Sequence, residues 1–211
     1  MVTLRCGNAD RLGVLGGTFD PLHYGHLALA EAGRDQLGLG CVLFVPAGDP
    51  PHKPSQPMSS AQHRGMMVAM VVGDYEGYTL SRADLDRPGP HYTADLLAIL
   101  RHTYPNAELY FLMGSDSLRQ FPAWHHPARI VAQARLAVLR RPNWEADVQA
   151  LEWAVPGIRE HLVWLEGAPL DISGTDIRRR VREGLPIGDL VPPSIEAYIH
   201  KHDLYRDQQG R

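Results

Sequence analysis

The segment Gly16-Gly-Thr-Phe-Asp-Pro-Leu-His-Tyr-Gly-His26 concentrates residue types that handle phosphate. Glycines let a backbone approach an anion, and a helix starting just after them offers free N–H groups and a positive dipole end. His23 and His26 are three positions apart and share a face once helical geometry begins. Imidazoles aimed at charge developing on phosphoryl oxygens are strong catalytic groups. Taken alone, the pair also reads as two solvated histidines beside a turn. The glycine spacing fits neither the Walker pattern nor the dinucleotide fingerprint. No cysteine or carboxylate cluster completes a zinc site at a telling spacing. A second anion site is expected at Asp171-Ile-Ser-Gly-Thr-Asp-Ile-Arg178, where Ser173 or Thr175 can cap a helix with Arg178 about one turn inside. A third is expected at Pro50-Pro-His-Lys53, where prolines stiffen a loop bearing two groups able to carry positive charge. Each of these is matched by a bland alternative, a helix cap or a rigid surface loop. Three of them, after or beside expected strand ends, weigh more together.

The elements that must hold these residues alternate. Leu12-Gly-Val-Leu15 and Cys41-Val-Leu-Phe-Val45 read as buried strands, with a helix over Leu27–Leu37 ended by Gly38-Leu-Gly40. Ala47–Pro57, with its prolines, reads as irregular loop. Ser59 or Ser60 caps a helix whose Met66, Met67 and Met70 are expected in the core. Tyr78–Ser81 is a weak strand, Thr93–His102 a helix, and Glu108–Met113, Leu136–Leu139 and His161–Leu165 are strands. Helices follow at Thr175–Glu183 and Ser194–His202. Apolar strands separated by helices imply an α/β, Rossmann-like doubly wound parallel sheet. The 211 residues suit a single domain, with a core over about 11–185 and a small C-terminal helical part over about 186–205.

Composition narrows the function. The net charge of −3 disfavours a nucleic-acid partner. No apolar stretch approaches the roughly 18 residues of a membrane span, and no secretory signal is expected, so a cytoplasmic protein is the simplest expectation. Cys6 and Cys41 are too few for a disulfide scaffold or a cysteine zinc site.

Read motif by motif, GGTFDPLHYGH resembles the (T/H)xGH signature of the nucleotidyltransferase superfamily, in its nicotinate-nucleotide adenylyltransferase version. Pro46–Lys53 resembles that family's second loop, and Pro90-His-Tyr-Thr-Ala-Asp-Leu96 its SYTxDTL segment. Met113-Gly-Ser-Asp116 with Phe121 and Trp124 resembles its GxD and F-W segment. Arg140-Arg-Pro142, Ile172–Arg178 and the C-terminal Tyr198–Tyr205 also fit. The likeness runs from about Leu12 to Tyr205, in the family's order. Gly174 stands where ISSTxIR has a second serine, His91 where a serine precedes Tyr-Thr, and Leu96 where the family has threonine.

The resemblance implies a Mg²⁺-dependent reaction of ATP with nicotinate mononucleotide, giving the dinucleotide and pyrophosphate by direct attack on the α-phosphorus. Such chemistry needs positioning and charge stabilisation rather than a protein nucleophile. It places His23 and His26 at the α- and β-phosphates and Lys53 and Arg178 on the polyphosphate tail. Gly16, Gly17, Thr18 and Phe19 would contact the nucleotide, and Gly114 and Asp116 the ribose side. Ile172, Ser173 and Thr175 would complete the ATP site. Tyr92, Thr93 and Ala94 would present backbone N–H groups to the pyridine carboxylate, with Trp124 stacked on the ring. Mg²⁺ would travel with ATP, without a protein cage. Asp20 would shape the turn before Pro21 rather than act as a base. His125, His126, His200 and His202 are expected on the surface, without a role. A pantetheine-phosphate adenylyltransferase or cytidylyltransferase shares only the first motif. A non-catalytic nucleotide-binding module is disfavoured by the intact His23, His26, Lys53 and Arg178. A class I aminoacyl-tRNA synthetase needs a longer, more basic chain.

Overall fold

The computed structural model describes residues 6, 9–48, 58–140, 146–167 and 170–206. Lys53 and its neighbours Pro50–His52, together with Arg141 and Pro142, lie outside the described residues. In chain order the elements are β1 (Arg11–Gly17), α1 (Tyr24–Leu37), β2 (Cys41–Pro46), α2 (Ala61–Val72), β3 (Tyr78–Leu80), α3 (Thr93–Thr103) and β4 (Glu108–Gly114). Then come α4 (Ser115–Gln120), a 3₁₀ turn (Phe121–Ala123), α5 (Pro127–Val131), β5 (Arg135–Leu139), α6 (Val148–Ala154), α7 (Ile158–His161), β6 (Leu162–Leu165), α8 (Gly174–Arg182) and α9 (Pro193–Lys201).

All strand pairs are parallel, in the order β3-β2-β1-β4-β5-β6. This is the doubly wound order, whose switch point lies between β1 and β4, and ligands bind there at the carboxyl ends. Alternation along β2 shows why both faces need cover: Val42 and Phe44 join one buried cluster, Cys41, Leu43 and Val45 the other. α1, α2, α8 and α9 cover the first face; α3 to α7 cover the second. Ile187, Val191, Ile195 and Ile199 belong to the first cluster, so the C-terminal segment is part of the core.

Three expectations change. α1 begins at Tyr24, earlier than the apolar spacing suggested, because His23 itself serves as its N-cap; it ends at Gly38, whose φ of 60° is the left-handed cap that glycine adopts without strain. On α2, Met67 is fully buried but Met66 is 47% exposed. Successive helical residues turn by about 100°, so neighbours cannot both face the core; the inward position three residues before Met67 is taken by Arg64. Finally, Cys6 and Cys41 are joined in a disulfide, a single cross-link from the N-terminal segment to the start of β2.

Candidate active site

The loop leaving β1 borders a cavity of about 300 Å³ lined by Gly16, Gly17, Thr18, Tyr92, Thr93 and Trp124, and by Phe111, Asp84, His91 and His125. α3 opens on it: Tyr92 is the N-cap, and the first inward bonds run from the N–H groups of Asp95 and Leu96 to the Tyr92 carbonyl. A helix start leaves N–H groups free for an anion. Ala94 is completely buried beneath that turn. Trp124 stands edge-on to Phe111, with centroids 5.9 Å apart, and tilted against Phe121 at 5.5 Å.

Further along the same stretch of chain the two histidines meet. Their rings stack at 3.7 Å, and Phe19 packs against His26 at 4.8 Å. Phe19 is buried with a φ of 50°, unusual for a residue with a side chain. The His23 backbone N–H donates to His26 Nδ1 at 3.3 Å. A backbone N–H can only donate, so Nδ1 accepts, and the neutral ring carries its proton on Nε2. Burial lowers the His23 pKa to about 4. Burial, and then the neighbouring His23, hold His26 well below the usual imidazole range. Both rings are therefore neutral near pH 7 until negative charge arrives beside them. His23 Nδ1 is buried without a hydrogen-bond partner among the described residues.

Arg178 reaches this loop from α8. Its Nη1 donates to the Asp20 carbonyl at 2.7 Å and its Nη2 to the Thr175 hydroxyl at 3.3 Å. The Asp20 carboxylate is buried, lies 4.0 Å from the guanidinium, and accepts from Tyr205 Oη at 2.7 Å and the Ser59 N–H at 3.3 Å. The expected turn-shaping role of Asp20 thus has a definite geometry. Ser173 caps α8 by accepting from the Asp176 N–H. Gly174 has a physical reason: a Cβ there would sit 2.9 Å from the Asp20 carbonyl oxygen and 3.3 Å from Arg178 Nη1.

The remaining expected residues spread more widely. Ile172 lies near the start of α1, in a separate depression with Tyr24 and Asp189. Gly114 caps α4, and Asp116 is the second residue of that helix rather than its cap. His125 borders the cavity, stacked on Tyr92 at 3.9 Å, although the sequence assigned it no role. Asp84 also borders it, paired with Arg87 at 2.8 Å; burial raises its pKa against the pull of that arginine. His91 is buried and pairs with the Arg87 carbonyl at 3.0 Å, so it serves the packing of this wall. Adjacency to Trp124 was the only sequence signal for His125, and Asp84 carried none.

Comparison with known proteins shows the family to which the chain belongs. The cytidylyltransferase-like family profile matches residues 14–180. A probable nicotinate-nucleotide adenylyltransferase of Thermomicrobium roseum is 46% identical over 197 residues, covering 93% of this chain and 92% of the relative. One from a Roseiflexus species is 43% identical over 195 residues, covering 92% and 98%. The solved structure of Plasmodium falciparum nicotinic acid mononucleotide adenylyltransferase complexed with NaAD superposes with a TM-score of 0.73 at 20% identity, covering 93% of this chain and 97% of that one. At that identity the superposition speaks for the fold. The signature loop, the switch-point cavity and the full-length likeness agree: the chain belongs to the cytidylyltransferase-like family and, within it, to the nicotinate-nucleotide adenylyltransferases.

Proposed function

We propose that the protein joins nicotinate mononucleotide to the adenylyl group of ATP, releasing pyrophosphate, in NAD biosynthesis in the cytoplasm, with no nucleic-acid partner. The observation that carries this reading is the stretch after β1, which lines the cavity through Gly17 and Thr18 and leads into the stacked rings of His23 and His26. An aromatic cavity with a helix start suits a pyridine carboxylate, and the paired imidazoles with Arg178 suit a polyphosphate.

In this reading the mononucleotide phosphate is already ionised and needs no base. One of its oxygens bonds to the α-phosphorus as the bond from that phosphorus to the bridging oxygen of pyrophosphate breaks, and the electron pair leaves with pyrophosphate. His26 Nε2–H and the His23 ring donate to the α- and β-phosphate oxygens as charge moves onto them. Arg178 and Lys53 hold the leaving pyrophosphate. Gly16, Gly17, Thr18 and Phe19 follow the nucleotide with their backbone. Asp116 and Gly114 meet the ribose, and Ile172, Ser173 and Thr175 close the ATP side. The substrate is MgATP, the cation held by phosphate oxygens.

The test supplies ATP and nicotinate mononucleotide and follows dinucleotide and pyrophosphate together. Both should form in equal amounts, and His26→Ala should lower turnover ~10²–10³-fold with a much smaller effect on ATP saturation. Pyrophosphate without dinucleotide, or neither product, would refute the reading.

A further inference from the structure

We propose that Arg64 is a positioning residue for the transferase site, setting the Thr18–Phe19 peptide from behind and, through the Phe19 ring, the place of His26. The inference rests on the reading of His26 given above. Arg64 is only 1% exposed, and the sequence offers it merely as one residue of a core helix. Its Nη1 donates to the carbonyls of Thr18 at 2.9 Å and Ala47 at 2.5 Å. Its Nη2 donates to Gly48 at 2.7 Å and its Nε to Ser59 at 3.1 Å. Filling a core position does not require a guanidinium, and burying one is costly unless its donors are satisfied. The planar fork instead gathers carbonyls from three separate stretches of chain, which a lysine ammonium on a flexible stem cannot hold in one plane.

Two of those carbonyls flank the cavity: Thr18 and Ala47 both line it, and the Ala47 N–H bonds to the Gly17 carbonyl at 2.8 Å. The Thr18 carbonyl matters most. It belongs to the peptide whose plane sets φ at Phe19, and that φ is 50°, a conformation the residue would leave if the carbonyl were released. At this φ the ring lies 4.8 Å from His26 and 5.9 Å from Phe44. Returning to negative φ would carry the ring away and remove the wall against which His26 stands.

The experiment is a double-mutant cycle between Arg64→Lys and His26→Ala, reading kcat and both KM values, with urea melts to confirm folding. Arg64→Lys should lower kcat about tenfold in the parent protein and by less than about twofold when His26 is already alanine, because residues acting through one another are not additive. The ATP KM should change by less than about threefold. Phe19→Leu, which keeps the core apolar, should give the same loss and the same coupling, and it carries the test if Arg64→Lys fails to fold. Equal losses in both backgrounds, or no loss with the fold intact, would overturn the proposal. A His26→Ala protein with normal turnover would overturn it too, and would remove the role of His26, while dinucleotide formation by the parent protein would still report on the proposed function.

Discussion

Acid should loosen this protein through its paired histidines before it protonates most of its surface carboxylates. His23 is buried with its pKa lowered to about 4, against 6.5 for an exposed imidazole. Between those values the unfolded chain binds a proton that the folded chain refuses, so stability falls as pH falls. At about pH 5 the linkage relation gives a loss near 2 kcal/mol relative to about pH 8, from His23 alone. His26 shifts in the same direction. Asp84, whose pKa is raised by burial, works in the opposite sense at the acid end. The perturbation that isolates the effect is His23→Asn, which keeps a good N-cap and removes the titration. Urea melts of both proteins should be compared at about pH 8 and about pH 5. With a slope of ~2 kcal/mol per molar, the parent midpoint should fall by ~1 M more than that of the variant. Parallel shifts would show that the His23 ring is not held neutral by burial.

Nicotinate mononucleotide should be preferred over the nicotinamide form by about tenfold to hundredfold in kcat/KM, because a carboxamide leaves a donor at the start of α3 unpaired, at ~1–3 kcal/mol; a ratio near one would refute this. Arg178→Ala and Lys53→Ala should chiefly raise the KM for ATP, measured at saturating mononucleotide; a shift confined to the mononucleotide KM would count against both assignments. Gly174→Ser should destabilise by ~1 kcal/mol in thermal melts and raise the ATP KM, since its Cβ would press on the carbonyl that receives Arg178; an unchanged protein would show that α8 can shift freely.

The parallel sheet was legible because its central strands are apolar on both faces; Cys41–Val45 could hardly be anything else. The histidine pair was legible as a candidate site from residue types and spacing, and the structure brings the rings of His23 and His26 into contact. What escaped the sequence depends on partners distant in the chain. Arg64 sits in a methionine-rich helix with no motif around it, and its acceptors at Thr18 and Ala47 are supplied by other loops. Asp84 has no local motif, and only the fold brings it to the cavity that Trp124 borders. The short helices α5, α6 and α7 carry too few turns for a periodic pattern to stand out. Gly174, which looked like a missing serine, made sense only once the Asp20 carbonyl was placed against it.

The bond from Tyr205 to Asp20 joins residues 185 positions apart. During synthesis the glycine-rich loop leaves the ribosome well before Tyr205, in a chain that grows by about 5–20 residues each second. The carboxylate beside Arg178 waits for its phenol partner until Tyr205 has followed. A nascent or clipped chain that stops short of Tyr205 can build every described strand and still leave Asp20 one partner short. The arrival of Tyr205, not of the glycine-rich loop itself, therefore completes the hydrogen bonding of the Asp20 carboxylate.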